Sequence, residues 1–342
     1  MLKPVHLAID CMGGDFGPPV IVAAAIIALK QNPHLSISLY GQQTAMEAEL
    51  TKHAKLQLGE RLSLIHCDDV ILMDDKPSVA LRGKKDSSMR AALNAVQQGH
   101  ADGCVSAGNT GALMALARFV LKMIPGIDRP AIITAVPTER GHTYMLDLGA
   151  NVDCDSETLF QFGIMGAVLC AANDGIANPT VGLLNIGEEE IKGNDQVKQA
   201  AQLLAECGAI NYSGFIEGND IFSGKCDVVV TDGFTGNNVL KASEGIVRLL
   251  ALKLRTTFES NWLNRLLGLL IGPILSSFKK EIDPDRYNGA TLIGLKGIVV
   301  KSHGGASVGA TVHAIEEAMK EVTHSVPSKI AQEVEKLVNN RV

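Results

Sequence analysis

Six times along this chain a short β-branched apolar run meets a corner of Gly, Asn, Asp or Ser and passes into a longer Ala- and Leu-rich stretch of helical period. Val5 to Asp10 leads through C-M-G-G-D-F-G into a helix near Pro18. Gly103 to Ser106 leads through A-G-N-T-G into Ala112 to Met123, and Tyr144 to Asp147 through L-G-A-N into Glu157 to Ala172. Val181 to Asn185 leads into Asp195 to Cys207, Asp227 to Thr231 into Val239 to Leu254, and Ile298 to Lys301 into Ala310 to Thr323. Parallel strands need crossover connections, and crossovers place helices on the sheet faces. The pattern therefore predicts a three-layer α/β/α fold around a mostly parallel sheet. Ligands of such sheets bind beyond the carboxyl ends of the strands, so the six corners are expected to share one edge and one site. No linker interrupts the pattern, and residues 1–342 read as a single α/β/α unit. A leucine-rich helical excursion over 247–287 lies within it.

Composition removes several classes of function. A net charge of −6 opposes a nucleic-acid binder, which needs excess Lys and Arg to displace counterions. The seven cysteines are odd in number and lack C-x-x-C spacing, as expected of buried thiols in a reducing compartment. The N-terminus carries no secretory h-region. Leu266 to Phe278 is broken by Gly272 and Pro273 and is shorter than the ~20 residues that span a bilayer. A soluble, cytoplasmic protein is expected, with surface attachment left open.

Two corners echo each other as [ST]-x-G-x-T-G. One comprises Ser106, Gly108, Asn109, Thr110 and Gly111; the other Thr231, Asp232, Gly233, Thr235 and Gly236, followed by Asn237. Glycines admit a close backbone approach, and the helix behind each presents free N–H groups, which is anion-binding chemistry. Lys192, set between corner glycines, can reach a phosphate or an oxyanion. Asp10 with Gly13, Gly14 and Asp15 suits a helix cap, a Mg²⁺ ligand pair or an acid–base pair. Lys84, in a basic patch with Arg82 and Lys85, reads as a solvated helix start or as a second phosphate or acidic-partner contact. Gly305 to Gly309 matches G-x-S-x-G, but too little chain follows Ser307 to supply the acid and histidine of a hydrolase. His303 stands at a strand end, placed to cap a helix or to assist a leaving thiolate. No P-loop, dinucleotide fingerprint or zinc-ligand spacing occurs, so no cofactor and no metal are expected.

Taken in order, A-I-D-C-M-G-G-D, K-K-D-S-S-M, S-A-G-N-T-G-A-L-M, G-I-D-R-P-A, L-D-L-G-A-N-V-D, V-G-L-L-N-I-G, K-G-N, D-V-V-V-T-D-G-F-T-G-N and K-S-H-G resemble the PlsX family over nearly the whole chain. That family comprises the phosphate acyltransferases of bacterial phospholipid synthesis. The resemblance implies a homodimer with a fold related to phosphate acetyltransferases and isocitrate dehydrogenase-like enzymes. It implies reversible transfer of a long-chain acyl group from acyl carrier protein to inorganic phosphate, the product feeding a membrane glycerol-3-phosphate acyltransferase. Phosphate is expected to attack the thioester directly. The glycine corners and Lys192 would hold the anions, Asn109 or Asn237 would orient the carbonyl, and His303 or Asp232 would assist the thiol.

From Lys241 to Arg286 eight basic residues face five acidic ones, a local +3 in a chain of −6. Arg248, Arg255, Leu263, Arg265, Leu266, Leu267 and Leu270 are the expected contacts with acidic carrier protein or with the inner face of the cell membrane. A dimer-interface helix pair is the competing expectation. The alternatives in function are a phosphate acetyltransferase-like enzyme using short acyl-CoA, a dehydrogenase, and a non-catalytic membrane scaffold.

Overall fold

The computed structural model describes residues 3–53, 59–268, 271–272 and 284–340. Its strands are β1 (Val5–Asp10), β2 (Leu35–Gly41), β3 (Leu62–His66), β4 (Gly103–Ser106), β5 (Ala131–Thr138), β6 (Gly141–Leu146), β7 (Thr180–Leu184), β8 (Asn211–Ile216), β9 (Val228–Val230), β10 (Ala290–Ile293) and β11 (Ile298–Lys301). They form one sheet in the order β3-β2-β1-β4-β11-β10-β5-β6-β9-β7-β8. The helices are α1 (Pro18–Gln31), α2 (Gln43–Thr51), α3 (Pro77–Arg82), α4 (Ser88–Gln97), α5 (Thr110–Leu121), α6 (Ser156–Asp174), α7 (Asp195–Glu206), α8 (Gly233–Glu259), α9 (262–268), α10 (Val308–His324) and α11 (Val326–Asn340).

All six expected strand–helix units are present, and three apolar clusters fill the two faces of the sheet. One lies under α4 and α5, a second under α6 and α11, and the third between α1 and α10. α6 shows how sequence builds a layer. It is apolar on nearly every side and buried along most of its length, as a fully covered helix must be. Asp155 caps its start by accepting from the Thr158 N–H, and left-handed Gly175 ends it. Gly166 lets it settle on the sheet, because a Cβ there would lie 2.6 Å from Val228 Cγ1.

One expectation is corrected. β1, β2, β3, β4 and β11 run parallel, and so do β6, β9, β7 and β8, but β10 is antiparallel to β11 and β5, and β5 to β6. Three antiparallel steps reverse the sense of the sheet. The corners after β1, β4 and β11 therefore leave one edge, and those after β6, β7 and β9 leave the other. The six do not share an edge.

The register softens this separation along the strands. One transverse row runs Asp10, Ser106, Lys301, Ala290, then through β5 to Met145 and Val229. Leu146, the last residue of β6, stands opposite Ile133, and Ile133 opposite Thr291, which pairs with Val300. Asp147 therefore lies only two residues, about 7 Å, from the row of Asp10 and Lys301. Both sets of corners flank the sheet face that carries α4, α5 and the first turns of α8, with β10 and β5 between them.

Candidate functional site

Asp10 organises the first set. It ends β1 inside the fold, 2 % exposed. Its Oδ1 accepts from the Ser88 hydroxyl at 2.7 Å and its Oδ2 from the Ser106 hydroxyl at 2.7 Å. Ser106 Oγ in turn accepts from the Gly108 N–H at 3.1 Å. Burial pushes the Asp10 carboxyl above the usual range, against the hydroxyl bonds that pull it down. The glycines are required by closeness. A Cβ on Gly13 would lie 2.6 Å from Gly108 N, and Gly14, at φ 86°, would press one within 2.9 Å of Gly304 O. Three strand ends thus touch through bare backbone.

Asn109 caps α5 by accepting from the Ala112 N–H, while its amide donates to the carbonyls of Leu72, Met73 and Asp75. Its side chain is committed to holding the 72–75 loop, so the carbonyl-orienting role falls away from it. The first-turn N–H groups of Thr110 and Gly111 have no intrahelical acceptor, and Thr110 is exposed. His303 is exposed. Its main chain donates to Asn288 Oδ1 at 2.8 Å, and its Nδ1 accepts from the Gly305 N–H at 3.1 Å. A neutral ring in that arrangement carries its proton on Nε2.

Other expected residues are spoken for. Lys84 is a brace: its ammonium bonds Asp75 Oδ2 at 2.5 Å and the Val70 carbonyl, holding Asp75 below the usual carboxylate range. That replaces a phosphate contact. Asp15 does not cap α1, whose N-cap is Gly17. No group of three metal-ligating side chains exists among the described residues. Ser307 caps α10 and donates to Asp285 Oδ2 at 2.6 Å, a structural role. Burial raises the thiols of Cys67 and Cys226 to about 11, and none is set up as a nucleophile.

The second set centres on Asp147, fully buried. It accepts from the backbone of Ile132, Ala150 and Asn151 and from the Asn151 amide. Gly233 and Gly236 pack on this turn, where a Cβ would meet Asp147 Oδ2 at 2.8 Å and its carbonyl at 2.0 Å. Asp232 caps α8, its two oxygens accepting from the N–H and the hydroxyl of Thr235. That makes it a cap and leaves it poorly placed as a thiol acid. Asn237 is exposed beside Gly149.

The two echoing corners are alike in letters only. The first is capped by its fourth residue, Asn109, and the second by its second, Asp232. Five strand spacings separate β4 from β9, about 24 Å across the sheet, and six, about 29 Å, separate β4 from the exposed Lys192 beyond β7. Within one chain these corners and Lys192 do not hold the same phosphate. Sequence reasoning missed Asp147, Asn151, Ser88, Asn288 and Lys301. Lys301 alone left a signal, a lysine closing an apolar strand.

The model of a family described as fatty acid synthesis protein matches residues 5–329. The chain is 55% identical over 327 residues to a phosphate acyltransferase of Methylococcus capsulatus, covering 95% of this chain and 96% of that protein. It is 52% identical over 338 residues to a phosphate acyltransferase of Legionella pneumophila, covering 99% and 98%. Among solved structures, a phosphotransacetylase from Streptococcus pyogenes superposes with a TM-score of 0.61 at 17% identity, over 93% of this chain and 94% of that one. That last likeness is one of fold.

Proposed function

This chain belongs to the fatty acid synthesis protein family and acts as a phosphate acyltransferase, and we propose that it carries a long-chain acyl group reversibly from acyl carrier protein to inorganic phosphate by direct attack. The observation that carries the mechanism is the meeting of the β1, β4 and β11 corners around Asp10. Phosphate sits against the N-terminus of α5, where the free N–H groups of Thr110 and Gly111 and the helix dipole favour an anion. One phosphate oxygen attacks the thioester carbonyl, the C–O bond forms, and the C–S bond of the tetrahedral intermediate breaks. The proton of the hydrogenphosphate ends on the thiol. His303, whose Nδ1 is engaged by the Gly305 N–H, donates a hydrogen bond from Nε2–H to the thiolate until that proton arrives. No side chain is acylated.

The second set of corners and Lys192 take a different part in this reading. Exposed Lys192 meets the acidic carrier, and Asn237 lies along the path of the donor. α8 leaves Ile246, Leu249, Leu250 and Leu254 exposed at helical spacing, and α9 leaves Trp262, Leu263, Leu266 and Leu267 exposed. We assign the first face to a homodimer and the second to lipid at the inner face of the membrane, where the product passes to a glycerol-3-phosphate acyltransferase. Leu270 lies outside the described residues. Arg248 and Arg255 pair with Glu244 and Glu259, which weakens their claim on the carrier. No described helix is long and apolar enough to cross a membrane.

The experiment is purified protein with acyl-acyl carrier protein and labelled phosphate, the label followed into the lipid-extractable fraction with no added nucleophile. Labelled acyl-phosphate is expected. Turnover with short acyl-CoA but not with the carrier would establish the acetyltransferase-like alternative.

A further inference from the structure

We infer that Lys301 is the cation of the acyl-accepting site, its ammonium meeting the phosphate held by the β1, β4 and β11 corners. The inference deepens the proposed reaction and rests on it. Lys301 closes β11, level with Ser106 and one strand further from Asp10, and is 8 % exposed. Its ammonium donates to two backbone carbonyls, those of Ala107 and Ser302. No carboxylate lies within ion-pair distance of it among the described residues. An ammonium has three N–H donors, so one remains for a ligand.

A buried cation held only by carbonyls is a costly way to fill space, and an apolar side chain of similar length would serve packing better. Its burial draws the ammonium down to about 8, while Asp10 and Asp15 oppose that and Lys241 of α8 adds to it. Those carboxylates act from beyond ion-pair distance, and a phosphate dianion supplies a counter-charge in contact with the ammonium. The two carbonyls that Lys301 grips belong to the residues after β4 and β11, the loops that hand the chain to the N-termini of α5 and α10. The ammonium is therefore fixed between the same corners as the anion site. His303, two residues on, brings the thiolate's hydrogen-bond donor to the same place.

Lys301→Met keeps length and removes the charge. The expected result is a rise in the KM for phosphate of about tenfold or more, the worth of a charged hydrogen bond, with the KM for the acyl carrier unchanged. The wild-type enzyme, independently of any variant, should lose affinity for phosphate as pH rises through about 8, and Lys301→Met should lack that limb. A phosphate KM within twofold of wild type in a folded Lys301→Met, or a wild-type phosphate KM flat between pH 7 and about 9.5, would overturn the assignment. The wild-type profile decides the matter if the variant does not fold. Either failure leaves wild-type turnover intact, whereas a wild type that forms no acyl-phosphate overturns the proposed reaction itself.

Discussion

Asp10 and Lys301 are charges that the fold accepts at a cost, and their titration makes that cost measurable. The folded ammonium of Lys301 sits near 8, below its ordinary 10.5, so between those values the unfolded chain binds more protons than the folded one. This group's contribution to stability therefore rises with pH across that window and is lost as pH falls through about 8. Urea denaturation of wild type and Lys301→Met should show that rise in the first and its absence in the second. Asp10→Ala strands the hydroxyls of Ser88 and Ser106, and about 2–3 kcal/mol of stability should go with it, read from the same curves. Ser307→Ala should lose about 1 kcal/mol as a helix cap yet keep most of its turnover, with no acyl adduct on the protein by mass spectrometry. An acyl group trapped on the wild-type serine would refute direct transfer. At this scale the sequence was a partial guide. A lysine between glycines, as Lys192 is, looks like an anion ligand wherever it falls, and the apolar run before Lys301 marks a strand end without saying that its ammonium is buried.

Elements were more legible, because period and capping are local properties. The helix beginning at Pro18, the strand Ile298–Lys301 and the start of α7 at Asp195 fell where their residues put them. β2, β3, β5, β8 and β10 went unassigned: β5, β8 and β10 lead on to another strand with no α-helix between, and the helices after β2 and β3 are too short or too polar to show an Ala- and Leu-rich period. α8 and α9 show where an element's sequence states a need without naming who meets it. Replacing Leu263 and Leu266 with Glu removes two side chains whose burial is worth about 1.5–3 kcal/mol each. The variant should leave anionic vesicles on co-sedimentation while acyl transfer in solution persists. Monomers on size-exclusion chromatography with vesicle binding unchanged would assign α9 to the subunit interface instead. Lys192→Ala should raise the KM for the acyl carrier severalfold and leave turnover at saturation unaltered; a large fall in kcat would return Lys192 to the chemistry.

The arrangement of the whole was the least legible level. Three-layer architecture follows from strand–helix alternation, but the sense of the sheet turns on β10 and β5, whose antiparallel pairing depends on partners more than a hundred residues away. That reversal split one expected site into two sets of corners. It has a further consequence for how the molecule is made. β10 and β11 come last in the chain among the strands yet lie at the middle of the sheet, between β4 and β5. While the protein is being synthesised, β4 and β5 therefore wait with bare edges facing one another, and an unpaired strand edge is an invitation to the wrong partner. The nascent chain is two half-sheets without a bridge until residues near 301 leave the ribosome, and its solubility in that interval falls to chaperones and to the speed of translation.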